Sequence, residues 1–280
     1  MAEYYRPTQF QDALRRLARS PCTILAGGTD HYASRVGKPL VEPILDVTAI
    51  RGLGAIAEFG DHWRIGAAAT WTGVIEAPLP SAFDGLKLAA REIGGAQIQN
   101  SGTLAGNLCN ASPAADGVPA LLALDASVEL ASVGNTRVLP LAQFILGPRK
   151  TARRPDELVA ALLIPKSAQD ACSHFTKLGA RKYLVISIAM VAGTLAVEDG
   201  KVAAARIAVG ACSPVALRLG GLENDLLGRA ADSGLGLAAT PEHREALSPI
   251  DDVRASADYR RHAALVLVRR VLARLGAEAP

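Results

Sequence analysis

Residues 97–116 restrict this chain more than any other stretch, because they are long, nearly aperiodic and yet carry apolar side chains that must be placed somewhere. The run Gln97-Ile98-Gln99-Asn100-Ser101-Gly102-Thr103-Leu104-Ala105-Gly106-Asn107-Leu108-Cys109-Asn110-Ala111-Ser112-Pro113-Ala114-Ala115-Asp116 gathers glycines, hydroxyls, amides and one carboxylate with little helical or strand period. A loop of that length in a compact domain is functional or disordered. Leu104 and Leu108 argue for an ordered loop that crosses the interior. Two residues have competing uses: Asp116 as N-cap of the apolar helix expected over residues 118–124, and Asn107 in a left-handed turn.

A second segment complements the first. Cys22-Thr23-Ile24-Leu25-Ala26 reads as a short buried strand that runs directly into Gly27-Gly28-Thr29-Asp30. Consecutive residues without Cβ let successive backbone N–H groups converge on an anion such as a phosphate. The alternative is an ordinary strand-to-helix turn that Thr29 or Asp30 merely caps.

The rest of the chain supplies a frame. Thr8 and Gln11 form a capping box ahead of Phe10, Leu14 and Leu17. A helix is expected over residues 81–93, opened by Ser81 and Asp84 and ended by Gly94-Gly95. Strands are expected at residues 43–47, 63–66, 128–130 and 137–139. A change of texture at residues 165–170 divides the chain into 1–168 and 169–280. Beyond it, residues 185–197 and 202–210 are β-like runs joined by Glu198-Asp199-Gly200-Lys201, a hairpin signal. A long helix over residues 256–275 is capped by Ser256 and stopped by Gly276.

Several function classes are disfavoured. A net charge of +3 over 280 residues points to neither nucleic acid nor an anionic membrane as partner. The longest apolar run, residues 183–197, is too short for a membrane span. The opening Met1-Ala2-Glu3-Tyr4-Tyr5-Arg6-Pro7 lacks a basic-then-apolar signal pattern, so a cytoplasmic location is expected. Cys22, Cys109, Cys172 and Cys212 stand too far apart for a local metal site, and the five histidines form no ligand or catalytic spacing. Gly52-Leu53-Gly54-Ala55-Ile56-Ala57 fits the spacing of a dinucleotide fingerprint, which would make the chain a nicotinamide-dependent dehydrogenase. No room for the required helix exists before the strand at Trp63, and chance explains it better. A bound cofactor would account for the missing catalytic side chains.

These residues resemble the FAD-binding (medium) subunit of the molybdenum hydroxylases, the xanthine dehydrogenase family that includes the carbon monoxide dehydrogenase medium subunit. Ala26-Gly27-Gly28-Thr29-Asp30 is similar to that family's first flavin loop and residues 97–116 to its second. Ile44-Leu45-Asp46-Val47, Ile65-Gly66-Ala67-Ala68-Ala69-Thr70, Phe175-Thr176-Lys177-Leu178-Gly179-Ala180-Arg181 and residues 252–261 follow in the family's order.

The resemblance implies an α+β fold: a PCMH-type FAD-binding domain of two subdomains, then a smaller C-terminal domain with a three-stranded antiparallel sheet and helices. It implies that Ala26, Gly27, Gly28, Thr29 and Asp30 wrap the pyrophosphate of FAD, and that Gly102, Thr103, Leu104, Ala105, Gly106 and Asn107 border the ribityl chain and phosphates. By the same analogy Asn110 and Asp116 bond sugar or ribityl hydroxyls, Val159 and Lys177 lie near the isoalloxazine ring, and Ile93 near the adenine. Iron–sulfur clusters and the molybdenum cofactor are expected on partner chains, a small and a large subunit, assembled as a dimer of heterotrimers. The other reading is a stand-alone flavin-binding or assembly protein. Three positions depart from the family pattern: Ala105 replaces a glycine, and Gln99 and Ser101 replace arginines.

Overall fold

In the computed structural model the described residues are 3–37, 41–168 and 170–278. Met1, Ala2 and Gln169, which enter the readings of the N-terminus and of the change of texture, lie outside them. The first part of the chain runs β1 (Tyr4–Tyr5), α1 (Phe10–Arg19), β2 (Thr23–Leu25) and β3 (Ile44–Asp46). Its strands form a parallel sheet in the order β1-β3-β2. α1 buries Ala13, Leu14 and Leu17. The expected capping box does not form: Gln9 occupies the N-cap, and the Thr8 carbonyl instead accepts the Arg51 N–H.

A second unit follows with β4 (Ile56–Glu58), β5 (His62–Gly66), α2 (Trp71–Glu76), α3 (Asp84–Glu92), α4 (Ala96–Ser101), α5 (Leu104–Asn110), α6 (Gly117–Ala123), β6 (Ser127–Ser132) and β7 (Asn135–Pro140). The short α7 (Leu141–Phe144) and the hairpin β8 (Ile145–Gly147) and β9 (Lys150–Thr151) lead to β10 (Leu158–Pro165). Strands β4-β5-β10-β6-β7 make one antiparallel sheet. α3 begins three residues later than expected, because residues 81–83 form a 3₁₀ turn whose Ser81 carbonyl accepts the Ser173 hydroxyl. The two-subdomain arrangement is thus present as a parallel and an antiparallel unit.

The C-terminal part contains β11 (Cys172–Leu178), β12 (Ala189–Glu198), β13 (Lys201–Gly210), β14 (Leu217–Arg218), α8 (Gly220–Leu226) and α9 (Ala257–Glu278). Among the described residues its antiparallel sheet has four strands in the order β11-β12-β13-β14, one more than expected. The extra strand, β14, is a two-residue edge with no periodicity to announce it. The three-stranded sheet of this protein is the parallel one near the N-terminus. The β12–β13 turn is the expected Asp-Gly hairpin, with positive φ at Asp199 and Gly200.

The C-terminal sheet is a wall shared by two cores. Successive side chains of a strand point to opposite faces. On β12, Met190 and Ala192 join the larger N-terminal core, whereas Ala189, Val191 and Leu195 join the core built on α8 and α9. α9 starts with the expected cap, Ser256 Oγ accepting the Tyr259 N–H at 3.3 Å. It does not stop at Gly276 but runs on to Glu278. That glycine serves a close approach instead, since a Cβ there would lie 2.1 Å from the Asp232 carbonyl oxygen.

Arg260, 3% exposed, ties α9 to the segment entering β12. It donates to the Ile188 carbonyl at 2.7 Å, the Ala211 carbonyl at 3.2 Å and Asp252 Oδ1 at 2.6 Å. Burial opposes ionisation of Asp252, but the Arg254 N–H and the Arg260 and Arg254 guanidinium groups outweigh it and bring the carboxyl down to about 2. A depressed folded-state pKa stabilises above the ordinary carboxylate range, and that stability disappears as pH falls through the folded value. The stability difference between the wild type and Asp252→Asn is therefore expected to be constant above pH 5 and to fall steadily toward about pH 2. Denaturant melts across that range check it, and a difference that does not fall between pH 5 and pH 2 refutes it.

Candidate cofactor-binding site

The two glycine-bearing segments meet. At the first bend Gly28 has φ +69°, in the left-handed region where a side chain is strained. Gly27 lies so close to the second segment that a Cβ would sit 1.8 Å from the Ser101 carbonyl oxygen. Among the described residues the backbone N–H groups of Gly27, Gly28, Thr29 and Asp30 have no hydrogen-bond acceptor in the protein. Four consecutive backbone donors left free beside one another can converge on an anion.

The second segment is not the single ordered loop that its composition suggested. It is α4, an extended Gly102, and α5, with Thr103 as N-cap accepting the Gly106 N–H at 3.0 Å. Its backbone is pinned to the start of α2, since Trp71 donates to the Gly102 carbonyl at 3.1 Å and Leu104 donates to the Ala69 carbonyl at 3.0 Å. Leu104 and Leu108 are fully buried on the core side. Ala111, at φ 45°, ends α5 and turns the chain toward Asp116.

Asp116 occupies the N-cap position of α6 without capping it. Its carboxylate instead accepts from Lys177 Nζ at 2.9 Å and from the buried Ser187 hydroxyl. Burial pushes the Asp116 carboxyl above the ordinary carboxylate range, against the pull of the Lys177 ammonium and of Ser187. Lys177 is itself buried and donates also to the carbonyls of Glu92 at 3.3 Å and Val185 at 3.2 Å. An ammonium has three hydrogens, so none is left over for a ligand.

Together these elements enclose a cleft of about 870 Å³. Ala26, Gly27, Gly28, Thr29, Asp30, Ile93, Gly102, Thr103, Ala105, Gly106, Asn107, Asn110, Asp116 and Val159 all line it. Leu104 and Lys177 do not; the first faces the core and the second stands behind Asp116.

Three cleft arginines escaped the sequence reading: Arg35, Arg149 and Arg153. Arg149, at φ +60°, bridges the two segments by donating to Asp30 Oδ2 at 3.0 Å and to the Asn110 side chain. The concentration of Arg149, Lys150, Arg153 and Arg154 within a weakly charged chain was the available signal. Residues 52–57 run into β4, which begins at Ile56, rather than into a helix, and this removes the fingerprint geometry.

Unpaired main-chain donors, flanking guanidinium groups and a long cleft with an apolar wall suit a dinucleotide with a diphosphate and an aromatic ring. The comparison with known sequences agrees. The family described as the FAD-binding domain in molybdopterin dehydrogenase matches residues 1–167. The chain belongs to this FAD-binding family. The CO dehydrogenase flavoprotein C-terminal domain matches residues 174–275.

Relatives of this flavoprotein span nearly its full length. The nicotine 6-hydroxylase medium subunit of Paenarthrobacter nicotinovorans is 30% identical, over 98% of this chain and 97% of the relative. The xanthine dehydrogenase FAD-binding subunit of Escherichia coli O157:H7 is 29% identical, over 97% and 94%. A chain of the reconstituted CO dehydrogenase from Oligotropha carboxidovorans superposes with a TM-score of 0.90 at 28% identity, covering 100% of this chain and 99% of that one.

The departures from the family pattern now have a setting. Ala105 is buried and borders the cleft, so its added methyl is accommodated. Gln99 and Ser101 do not border the cleft, and the Gln99 side chain donates to the Arg91 carbonyl at 3.1 Å, whereas Arg149 and Arg153 do line it. Among the described residues no helix is long and apolar enough to cross a membrane, and no three His, Cys, Asp or Glu side chains are gathered for a metal ion.

Proposed function

We propose that this chain is the FAD-carrying electron-transfer subunit of a molybdenum hydroxylase, taking electrons from iron–sulfur clusters of a partner chain and passing them to an external acceptor. The single observation that carries this reading is the run of four unpaired backbone N–H groups from Gly27 to Asp30 in a cleft of an FAD-binding family member. These N–H groups hold the pyrophosphate, and Ala26 leads the chain into that bend. Gly102, Thr103, Leu104, Ala105, Gly106 and Asn107 form the second bend, with Leu104 anchoring it from the core side.

Asn110 and Asp116 accept hydrogen bonds from polyol hydroxyls, Val159 packs beside the ring and Ile93 beside the adenine. Lys177 acts through Asp116 rather than by touching the cofactor. Bound FAD supplies reversible electron-pair chemistry, while the chain contributes binding, orientation and electrostatics.

The chain divides into residues 1–168, which supply most of the cleft, and 169–280, which add Val185 and Ile186 to its lining. Its partners are an iron–sulfur small subunit and a molybdenum-cofactor large subunit in a cytoplasmic dimer of heterotrimers. What supports the partner reading is that one full-length relative is named as a medium subunit. Purification of the tagged chain from its source, with absorbance and metal analysis, tests all of this. Flavin, iron and molybdenum are expected to co-elute with two companion chains; a colourless chain that elutes alone overturns the proposal.

A further inference from the structure

Because all three hydrogens of the Lys177 ammonium are taken by Asp116, Glu92 and Val185, the group that meets a ligand on this wall is Asp116, which lines the cleft. Each Asp116 oxygen receives one donor, Oδ2 from Lys177 and Oδ1 from Ser187. An ionised carboxylate has about four lone-pair sites and no hydrogen, so it retains room to accept and has nothing to donate.

Ser187 is 1% exposed and does not border the cleft. Its one hydroxyl hydrogen is committed to Asp116, since the carboxylate is only an acceptor. Its own backbone is held on one side by Val185, whose carbonyl accepts Lys177. On the other side Ile188 donates to the Leu178 carbonyl at 2.7 Å and accepts from Arg260 at 2.7 Å. The hydroxyl is thus delivered to Asp116 from a braced position, 71 residues away along the chain.

We propose that Ser187 is a positioning residue of the cleft: with Lys177 it holds Asp116 in one orientation as an acceptor-only carboxylate, so that this wall takes a hydroxyl-bearing polyol or sugar and rejects phosphate. This rests on the reading of the cleft as the FAD site. Burial pushes the Asp116 carboxyl above the ordinary range, and the Lys177 ammonium and the Ser187 hydroxyl both pull against that shift.

The test is FAD titration of the deflavo form of the assembled enzyme. Ser187→Ala is expected to weaken FAD binding about tenfold, the equivalent of about 1.4 kcal/mol, with assembly and melting temperature nearly unchanged. Ser187→Thr, which keeps the hydroxyl, is expected to bind close to wild type. In an Asp116→Ala background, removal of Ser187 is expected to have no further effect, because nothing is left for it to orient.

Unchanged affinity in Ser187→Ala, or the same loss in both backgrounds, overturns the proposal. If Ser187→Ala does not assemble, Ser187→Thr and Ser187→Val match in bulk and differ in the hydroxyl; equal affinity for those two overturns it as well. Failure of the wild-type deflavo enzyme to take up FAD would instead bring down the reading of the cleft itself.

Discussion

Replacing Gly27 with alanine is expected to strip the assembled enzyme of most of its flavin and to lower its stability by about 3 kcal/mol. The added Cβ would lie 1.8 Å from the Ser101 oxygen, 2.5 Å from the Ser101 carbonyl carbon and 2.9 Å from the Gly102 nitrogen. These are backbone atoms, so no rotamer change relieves the contact. Nor does the second segment yield readily, because the Gly102 N–H donates to the Ile98 carbonyl at 2.7 Å and the Gly102 carbonyl accepts from Trp71. Relief has to come from the first bend, which moves the unpaired N–H groups out of register with the diphosphate.

Gly52→Ala is the control. Its φ is +73° but a Cβ there would meet nothing within 4 Å, so only the local backbone strain is felt and flavin stays bound. Flavin-to-protein absorbance and melting temperature of the two variants measure this. Full flavin in Gly27→Ala would show that the contact between the bends is dispensable.

The second large effect is expected at Lys177. Lys177→Met leaves the Asp116 carboxylate buried beside Ser187 with no counter-charge, a change that costs about 3–5 kcal/mol in comparable buried pairs. Lys177→Met combined with Asp116→Leu removes both charges and is expected to recover most of that stability without recovering flavin affinity. Such a split separates the role of the pair in folding from its role in the cleft.

Any flavin that Lys177→Met retains is expected to have a more negative midpoint potential, because a cation behind the wall no longer offsets the negative charge gained on reduction. Spectroelectrochemical titration checks this. An unchanged potential with flavin fully bound would mean that Lys177 acts only as a structural partner of Asp116.

Much of the site was legible in the residues themselves. Gly27-Gly28 following an apolar strand reads as a bend whose N–H groups can converge on an anion, and in the structure those groups have no acceptor among the described residues. Thr103, Gly106 and Asp116 stood out by chemistry, though the helix that Thr103 caps did not. α5 has seven residues, about two turns, too few for a 3.6-residue period to register against its glycine and asparagines. The capping pairs expected at Thr8 and Ser81 do not form, because Gln9 and Phe83 occupy the N-cap positions of α1 and α3.

By itself, the sequence determined local geometry at particular places: the Asp199-Gly200 hairpin turn and the start of α9. Those follow from sterics and periodicity over a few neighbouring residues. Asn107, by contrast, offered for a left-handed turn, lies inside α5. Only the tertiary structure decided which groups face one another. Asp116 meets Lys177 and Ser187, which are 61 and 71 residues further on, and Arg149 reaches back 119 residues to Asp30. Pairings of that range are set by how the sheets stack and where the chain crosses between them, and no local rule of propensity or spacing contains that information.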